Sequence, residues 1–327
     1  MSVKRDITCY IMYLKIINNK ERNMTIAEKL DLAIKLKVTG TTDGAYVIER
    51  GNGEKIFKAT YMTKTEWTAF EADMKANALQ PKAYTEYGKG GGDELTEKNG
   101  RPPKMASYGS SSRMIYTLSR NKAGFHYEDK RSTSIGGTAN LDGFYDDEDG
   151  NRYIFVEAKC REPYSNKSNS VSIAYKDLYD FINTKTAVSM KITMIPSKCG
   201  RYMNVDYVVG KEKLEYFDIK QMICHLLGIA TALLKSNLER KQIDFIYLLY
   251  DPTELDIEPN SKEEIDRIYR RTCCECKLVD FSELYHVILE FLVATKFKGA
   301  LTSEDIDDMV CNFKFILTSQ KHYQSLI

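Results

Sequence analysis

The stretch that most constrains the fold is a pair of strand-like segments joined by Asp149-Gly150. Residues 138–145 and 152–160 are rich in β-branched and aromatic side chains, which favours β-strands. An Asp-Gly pair between two such segments is typical of a two-residue hairpin turn. The sequence therefore predicts a β-hairpin over residues 138–160.

The predicted register of this hairpin brings charged side chains together. With the turn at Asp-Gly, Glu148 faces Asn151, and continuing the ladder places Asp142 opposite Glu157. Directly opposed residues have Cβ atoms about 5 Å apart. Lys159 lies two residues beyond Glu157, so its side chain points to the same side of the sheet.

Two opposed carboxylates repel each other, and this cost favours a bound cation between them. Oxygen ligands suit Mg²⁺, so we predict that Asp142 and Glu157 are metal ligands. The ammonium group of Lys159 can then orient a water molecule or stabilise charge on a phosphate. Two structural alternatives remain: a surface hairpin with unpaired acids, and a salt bridge from Lys159 without any chemistry.

The spacing D-x14-E-x-K resembles the motif of the PD-(D/E)XK nuclease superfamily, although Leu141 stands where that motif has proline. Four further segments resemble a group of bacterial proteins regarded as restriction endonucleases. They are GRPPKMASYGSSSRM, FHYEDKRSTSIGGTANLDGF, FVEAKCREPY and DIKQMICHLLGI. The resemblance covers residues 80–295. It implies a mixed α/β fold with a restriction-endonuclease-like αβββαβ core.

The resemblance also implies roles for residues around the hairpin. Asp142, Glu157 and the backbone carbonyl of Ala158 would bind Mg²⁺, for which Mn²⁺ could substitute. Lys159 would act on the attacking water or on the developing phosphorane charge. Glu128 stands where the superfamily often has a third acid, before or in the first strand of the core.

A helix after the hairpin carries another expected site residue, Gln221. RecB-type members of the superfamily have a Gln and a Tyr four residues apart on this helix, and both would lie on one helix face. Here His225 occupies the Tyr position. The structural alternative for His225 is a histidine satisfied within the core.

These expectations describe a Mg²⁺-dependent DNA endonuclease, specifically a restriction endonuclease, that hydrolyses phosphodiester bonds. DNA is the expected partner and no membrane is expected. A homodimer and a DNA methyltransferase encoded nearby remain open. Two other hypotheses are a non-catalytic nucleic-acid-binding or interaction module on the same fold, and a nuclease for RNA or for branched or single-stranded DNA.

The order of predicted elements divides the chain into four parts. A helix, three strands, an insertion, a helix and a strand follow one another, and C-terminal amphipathic helices complete the chain. A Gly-, Pro- and Lys-rich stretch precedes this core and predicts a flexible loop, or one whose basic residues contact phosphates. The predicted parts are an N-terminal α+β subdomain (1–79), this loop (80–109), the nuclease core (110–255) and a helical extension (256–327).

The first 23 residues raise a separate question. Lys20–Met24 can be encoded by a purine-rich, ribosome-binding-like sequence followed by ATG, and Met24 opens a helix pattern. We therefore expect residues 1–23 to be a mis-assigned upstream extension. An ordinary N-terminal helix or strand is the alternative.

Composition sets limits on the class of protein. The 327 residues carry a formal net charge of +1, so a nucleic-acid partner would need a local basic face. The 8 cysteines are scattered, which favours reduced thiols and a cytoplasmic location. Cys273, Cys274 and Cys276 lack the spacing of a zinc site, and free thiols near a helix end are the alternative. Neither a Walker A motif nor a G-x-S-x-G motif is present.

Overall fold

The protein is a mixed α/β molecule. A computed structural model describes residues 24–90, 92–165, 169–185, 188–235 and 238–327. The expectation for residues 1–23 lies outside these ranges and stays a prediction.

The described part of the N-terminal block, which was predicted to be an α+β subdomain, contains two helices and a hairpin. Thr25 and Glu28 form a capping box at the start of the first helix, and Thr63 and Glu66 form another at the second. Between the helices lies a two-stranded antiparallel hairpin. The elements are α1 (Ile26–Thr39), β1 (Tyr46–Glu49), β2 (Lys55–Lys58) and α2 (Lys64–Ala76).

The segment 80–109, predicted to be a flexible loop, contains some regular structure and buried residues. The segment contains helix α3 (Ala83–Gly88) and a 3₁₀ turn (Lys104–Ala106). Met105 and Ala106 have no exposed surface, and the Tyr87 hydroxyl donates a hydrogen bond to the Ser112 carbonyl. The apolar residues among the glycines and lysines give this segment a core-facing side, which composition alone conceals.

The core is a five-stranded sheet with the order β11-β10-β5-β4-β3. Strands β3, β4 and β5 form an antiparallel meander, whereas β10 runs parallel to both β5 and β11. Helix α4 precedes β3, and helix α6 connects the insertion to β10. The elements are α4 (Ser111–Ser119), β3 (His126–Ser132), β4 (Thr138–Asp147), β5 (Arg152–Lys159), α6 (Ile219–Leu234), β10 (Gln242–Leu249) and β11 (Phe313–Ser319).

Helices cover both faces of this sheet. Along β5, Tyr153 and Phe155 belong to a hydrophobic core that includes the apolar side of α6. Ile154 and Val156, which alternate with them, belong to a second core shared with α1 and α4. A strand buried on both faces reads as a continuous apolar run, as the sequence of β5 does.

The insertion between β5 and α6 forms a second, smaller sheet. Its strands have the order β6-β8-β7, and the short β9 pairs with β8. Helix α5 packs on one side of this sheet, where Tyr179 and Tyr207 share a hydrogen bond between their hydroxyls. The elements are β6 (Ser170–Ser172), α5 (Lys176–Thr184), β7 (Met190–Pro196), β8 (Tyr202–Val209) and β9 (Glu212–Lys213).

The C-terminal region departs from the prediction of helices alone. Three helices are present, but strand β11 follows them and completes the edge of the central sheet beside β10. Among the described helices none is long and apolar enough to cross a membrane. The helices are α7 (Pro259–Leu278), α8 (Phe281–Thr295) and α9 (Ser303–Cys311).

Candidate active site

The hairpin of β4 and β5 has the predicted register. The Asn151 amide donates to the Glu148 carbonyl at 3.1 Å, which places the turn at residues 149 and 150. Gly143 pairs with Val156, and one step further along this ladder Asp142 lies beside Glu157. The left-handed residue of the turn is Asn151, with φ of 47°, rather than the glycine before it.

Three carboxylates lie in a row across three strands. Glu128 on β3 lies next to Asp142 on β4, because Tyr127 pairs with Gly143 and Asp129 with Leu141 on either side. Glu128 has φ of 53°, a conformation that costs a residue with a side chain about 1–2 kcal/mol. Such strain within a strand marks a position that the surrounding structure holds in place.

Lys159 and helix α6 close around the Glu157 carboxylate. Lys159 Nζ lies 2.6 Å from Glu157 Oε1 and donates a hydrogen bond of 2.6 Å to Gln221 Oε1. His225 Nε2 lies 2.9 Å from Glu157 Oε2, but the two atoms are not aligned as a hydrogen bond. Glu157 and His225 are each only 1% exposed. Helix α6 thus touches both members of the Glu157–Lys159 ion pair.

The ionisation of the two central groups follows from this pairing. Burial opposes the charge on Glu157, but Lys159 and His225 outweigh it and hold its pKa below the usual value. Burial likewise disfavours the ammonium form of Lys159, yet Glu157 raises the pKa of that group well above its usual value. Lys159 is therefore a permanent cation at neutral pH.

The pKa values of the other two carboxylates, Asp142 and Glu128, are raised rather than lowered. Burial, followed by repulsion from Glu157, raises the pKa of Asp142 well above its usual value. Its Oδ2 accepts a hydrogen bond of 2.7 Å from the Ala158 amide. Burial together with the Glu94 and Glu157 charges raises the pKa of Glu128 to about 7. Burial and mutual repulsion therefore oppose ionisation of all three carboxylates at once, and favour a proton or a bound cation in the row.

Residues of the 80–109 segment cover the outer end of this row. A Cβ atom at Gly90 would lie 3.1 Å from Glu128 Oε2, so the glycine backbone rests against that carboxylate. Glu94 is buried and pairs with Lys104 at 3.4 Å. The segment predicted to be a loop is thus part of the site.

The row forms the floor of a cleft of about 660 Å³. The N-terminal end of α4, with Ser110 and Ser111, lines one wall. Gln221 from α6 lines another. Carboxylates that line the cleft are Glu94, Glu128, Asp142, Glu157, Glu162 and Asp218, and basic residues are Lys104, Lys159, Arg161 and Lys220.

Arg161 connects the cleft to the N-terminal block. It lies two residues after Lys159, and its Nη1 donates to Asp31 Oδ2 on α1 at 3.0 Å. Asp31 has no exposed surface, and burial raises its pKa to about 7 against the pull of Arg161. The Gly109 backbone packs so closely that a Cβ atom there would lie 1.7 Å from Asp31 Oδ1.

The donor atoms in the cleft suit a hard divalent cation. Glu157 Oε2 is buried without an aligned hydrogen-bond partner in the described part of the chain. No group of three or more His, Cys, Asp or Glu side chains there is placed so that together they could hold a metal ion, so a cation would rely on fewer side-chain ligands. Mg²⁺ commonly takes one or two carboxylates and completes its shell with water and phosphate oxygens, so Asp142 and Glu157 fit it.

Other expectations from the sequence have mixed outcomes. Glu162, which follows strand β5, accepts a hydrogen bond from the backbone amide of Cys160 at 2.8 Å and lines the cleft. Of the basic residues in segment 80–109 that were considered as phosphate contacts, Lys104 lines the cleft. Lys98 instead pairs with Asp93 at 2.9 Å. The cysteines considered for zinc all lie on helix α7 as free thiols; they are Cys273, Cys274 and Cys276.

Several site residues were not singled out from the sequence. Glu94 lies in the segment assigned as a loop, and Asp31 lies 130 positions from its partner Arg161. The proximity of Arg161 to the E-x-K motif is the one local signal that pointed to it. Asn140, two residues before Asp142 on the same face of β4, also lines the cleft.

Comparison with known proteins adds no relatives. No protein-family model, no curated protein and no solved structure matches the chain.

Proposed function

We propose that this protein is a Mg²⁺-dependent DNA endonuclease with a restriction-endonuclease-like core, specifically a restriction endonuclease. The observation that carries the proposal is the row of Glu128, Asp142 and Glu157 beside Lys159 on the floor of a large cleft. The element order helix, three strands, helix and strand supports the fold assignment.

Structural roles alone account poorly for this row. Neighbouring like charges on paired strands reduce stability, and burial increases that cost. The raised pKa of Asp142, from burial and from Glu157, reflects the same unfavourable arrangement. Unfavourable arrangements of buried charge are common at functional sites, where a bound ligand offsets their energetic cost.

The chain's own residues have distinct tasks in the proposed reaction. Asp142, Glu157 and the Ala158 carbonyl would hold Mg²⁺, which when bound polarises a phosphate and stabilises charge on a leaving oxygen. Lys159 remains an ammonium ion because Glu157 raises its pKa, so it donates hydrogen bonds rather than accepting a proton. It would orient the attacking water or stabilise the phosphorane. Gln221 holds the ammonium group in position through its Oε1 atom.

The alternatives differ in what they predict for the same cleft. A non-catalytic module would bind nucleic acid without cutting it. A nuclease for RNA or for branched or single-stranded DNA would cut, but supercoiled duplex DNA would compete poorly with its true substrate.

Incubation of the purified protein with supercoiled plasmid, with Mg²⁺ or with a chelator, tests the proposal. We expect nicked and linear products only with Mg²⁺. Parallel incubations use single-stranded DNA, branched DNA and RNA at equal nucleotide concentration. Binding of plasmid without cleavage of any substrate would contradict the enzymatic proposal, and preferential cleavage of RNA would contradict the assignment to DNA.

A further inference from the structure

A second cavity adjoins the cleft. It has a volume of about 380 Å³ and lies between the start of β4, helix α6 and strand β6 of the insertion. The two cavities share Asn140, Asp218, Lys220 and Gln221. They therefore form one continuous groove, in which the second cavity begins beside the carboxylate row.

The lining of this cavity differs from that of the cleft. Asp218 is its one carboxylate among the described residues. That side chain caps α6 by accepting a hydrogen bond of 3.1 Å from the backbone amide of Gln221. The remaining lining includes five residues with hydroxyl or amide groups, one lysine, Lys220, and one tyrosine, Tyr175. A nucleic-acid backbone that extends from the carboxylate row into the second cavity would therefore lie near fewer carboxylates there than in the cleft.

The cavity also reaches a side chain that touches the central ion pair. His225 lines it, and His225 Nδ1 is buried without a hydrogen-bond partner in the described ranges. The other ring nitrogen lies 2.9 Å from Glu157 Oε2. A buried polar atom without a partner is unfavourable, and here it belongs to a side chain that lines the cavity.

We infer that this cavity is a binding subsite for a nucleotide adjacent to the phosphate that lies over the carboxylate row. Its volume suits one small ligand, and its hydroxyl and amide groups suit the edges of a base. The inference rests on the proposed function. It assigns the insertion a role, since β6 provides Ser170 and Ser172 as one wall.

A cysteine within the cavity reports its occupancy without measuring cleavage. Cys224 is half-buried, lines the cavity and accepts a hydrogen bond of 3.1 Å from the Tyr175 hydroxyl. Cys274 and Cys311 are exposed on α7 and α9, outside the groove lining. They serve as internal controls for alkylation.

The test measures iodoacetamide modification of each cysteine by mass spectrometry, with and without a random-sequence DNA duplex in Ca²⁺ buffer. Wild type is compared with Thr138→Glu, which places a carboxylate in the second cavity but outside the cleft. Thr65→Glu on α2 is the matched control, because that threonine is also exposed.

We expect DNA to slow modification of Cys224 and to leave Cys274 and Cys311 unchanged. DNA binding is measured by fluorescence anisotropy. Thr138→Glu should bind about tenfold more weakly than wild type, whereas Thr65→Glu should match wild type. If wild type cuts plasmid but Cys224 stays unprotected and Thr138→Glu binds normally, the subsite is wrong and the nuclease proposal stands. If wild type neither binds nor cuts DNA, both fail.

Discussion

At the scale of single residues, the Glu157–Lys159 pair shows how structure and proposed chemistry meet. The sequence offered a salt bridge and a catalytic lysine as alternatives, and the structure contains the salt bridge at 2.6 Å. This contact does not exclude catalysis, since the same cation lies beside the carboxylate row. It does mean that removing Lys159 leaves a buried carboxylate without its closest cation.

Replacing Lys159 by methionine should therefore destabilise the protein and make its stability depend on metal. Breaking a buried ion pair costs about 3–5 kcal/mol. A divalent cation at Asp142 and Glu157 would replace the missing charge, so Mg²⁺ should raise the Tm of Lys159→Met more than that of wild type. Calorimetric melting with and without Mg²⁺ measures both effects.

Lys241→Met is the matched control for this measurement. Lys241 also pairs with a carboxylate of the hairpin, Asp146 on β4, at 2.8 Å, but that carboxylate is more exposed than Glu157 and lies outside the cleft lining. Its loss should cost about 1 kcal/mol or less and should not respond to Mg²⁺. Equal Mg²⁺ responses in both variants would argue against metal binding at the carboxylate row.

Asp31 makes the stability of the protein depend on pH. Burial raises its pKa to about 7 from an ordinary 3.8, so the folded state holds the proton more tightly than the unfolded chain does. The free energy of unfolding should therefore fall as pH rises from 3.8 to about 7. Asp31→Asn removes this titration while keeping an acceptor for Arg161.

Wild type and Asp31→Asn should have similar free energies of unfolding at acid pH. Above neutral pH, Asp31→Asn should be the more stable of the two. The difference is at most on the order of 4 kcal/mol. Urea unfolding at a series of pH values measures it. A stability difference that does not change with pH would show that Asp31 is not protonated in the folded protein.

At the scale of elements, local signals predicted most of what the structure contains. Segments rich in β-branched and aromatic residues, the Asp-Gly turn and the capping boxes at Thr25 and Thr63 each act within a few residues, so a single sequence reveals them. The hairpin register followed from the turn alone. What the turn signal did not reveal is that Asn151 adopts the left-handed conformation.

Substitutions at Asn151 should test the turn geometry. Asn151→Val places a β-branched residue at φ of 47° and should cost about 1–2 kcal/mol. Asn151→Gly, which accepts this conformation, should keep stability within about 1 kcal/mol of wild type. Thermal unfolding distinguishes them, and equal losses would indicate a different turn in solution.

At the scale of the whole molecule, the sequence failed where distant segments meet. The sequence of strand β11 carries no local signal that identifies β10 as its partner. The paired residues of the two strands lie about 70 positions apart in the chain. Glu94 lines the cleft and Asp31 contacts the cleft residue Arg161, yet the local patterns of their segments carry no sign of either contact. Contacts of this kind depend on tertiary packing, which overrides local propensity.

A chain that ends at Asn312 tests the structural role of β11. It would lose the edge strand and also Tyr323, which is fully buried and shares a hydrogen bond with Ser119. The exposed edge of β10 should promote aggregation and abolish cooperative unfolding. Circular dichroism and light scattering measure this, with Lys314→Ala as the full-length control. Cooperative melting of the shortened chain at the wild-type Tm would contradict the assigned role.

A second test at this scale concerns the first 23 residues. A chain that begins at Met24 should keep the Tm and any activity of the full sequence, because we expect residues 1–23 to be an upstream extension. Calorimetry of both chains measures this. A loss of several degrees would show that residues 1–23 stabilise the fold.

The central claim is that the carboxylate row binds a catalytic cation, and a pair of matched variants tests it most directly. Asp142→Asn removes a row carboxylate, whereas Asp146→Asn makes the same change on the same face of β4 outside the cleft lining. Single-turnover plasmid cleavage is measured beside calorimetric Mg²⁺ binding for both. We predict that Asp142→Asn loses Mg²⁺ binding and slows cleavage about a hundredfold or more, while Asp146→Asn matches wild type. Normal Mg²⁺ binding and cleavage by folded Asp142→Asn would contradict the account.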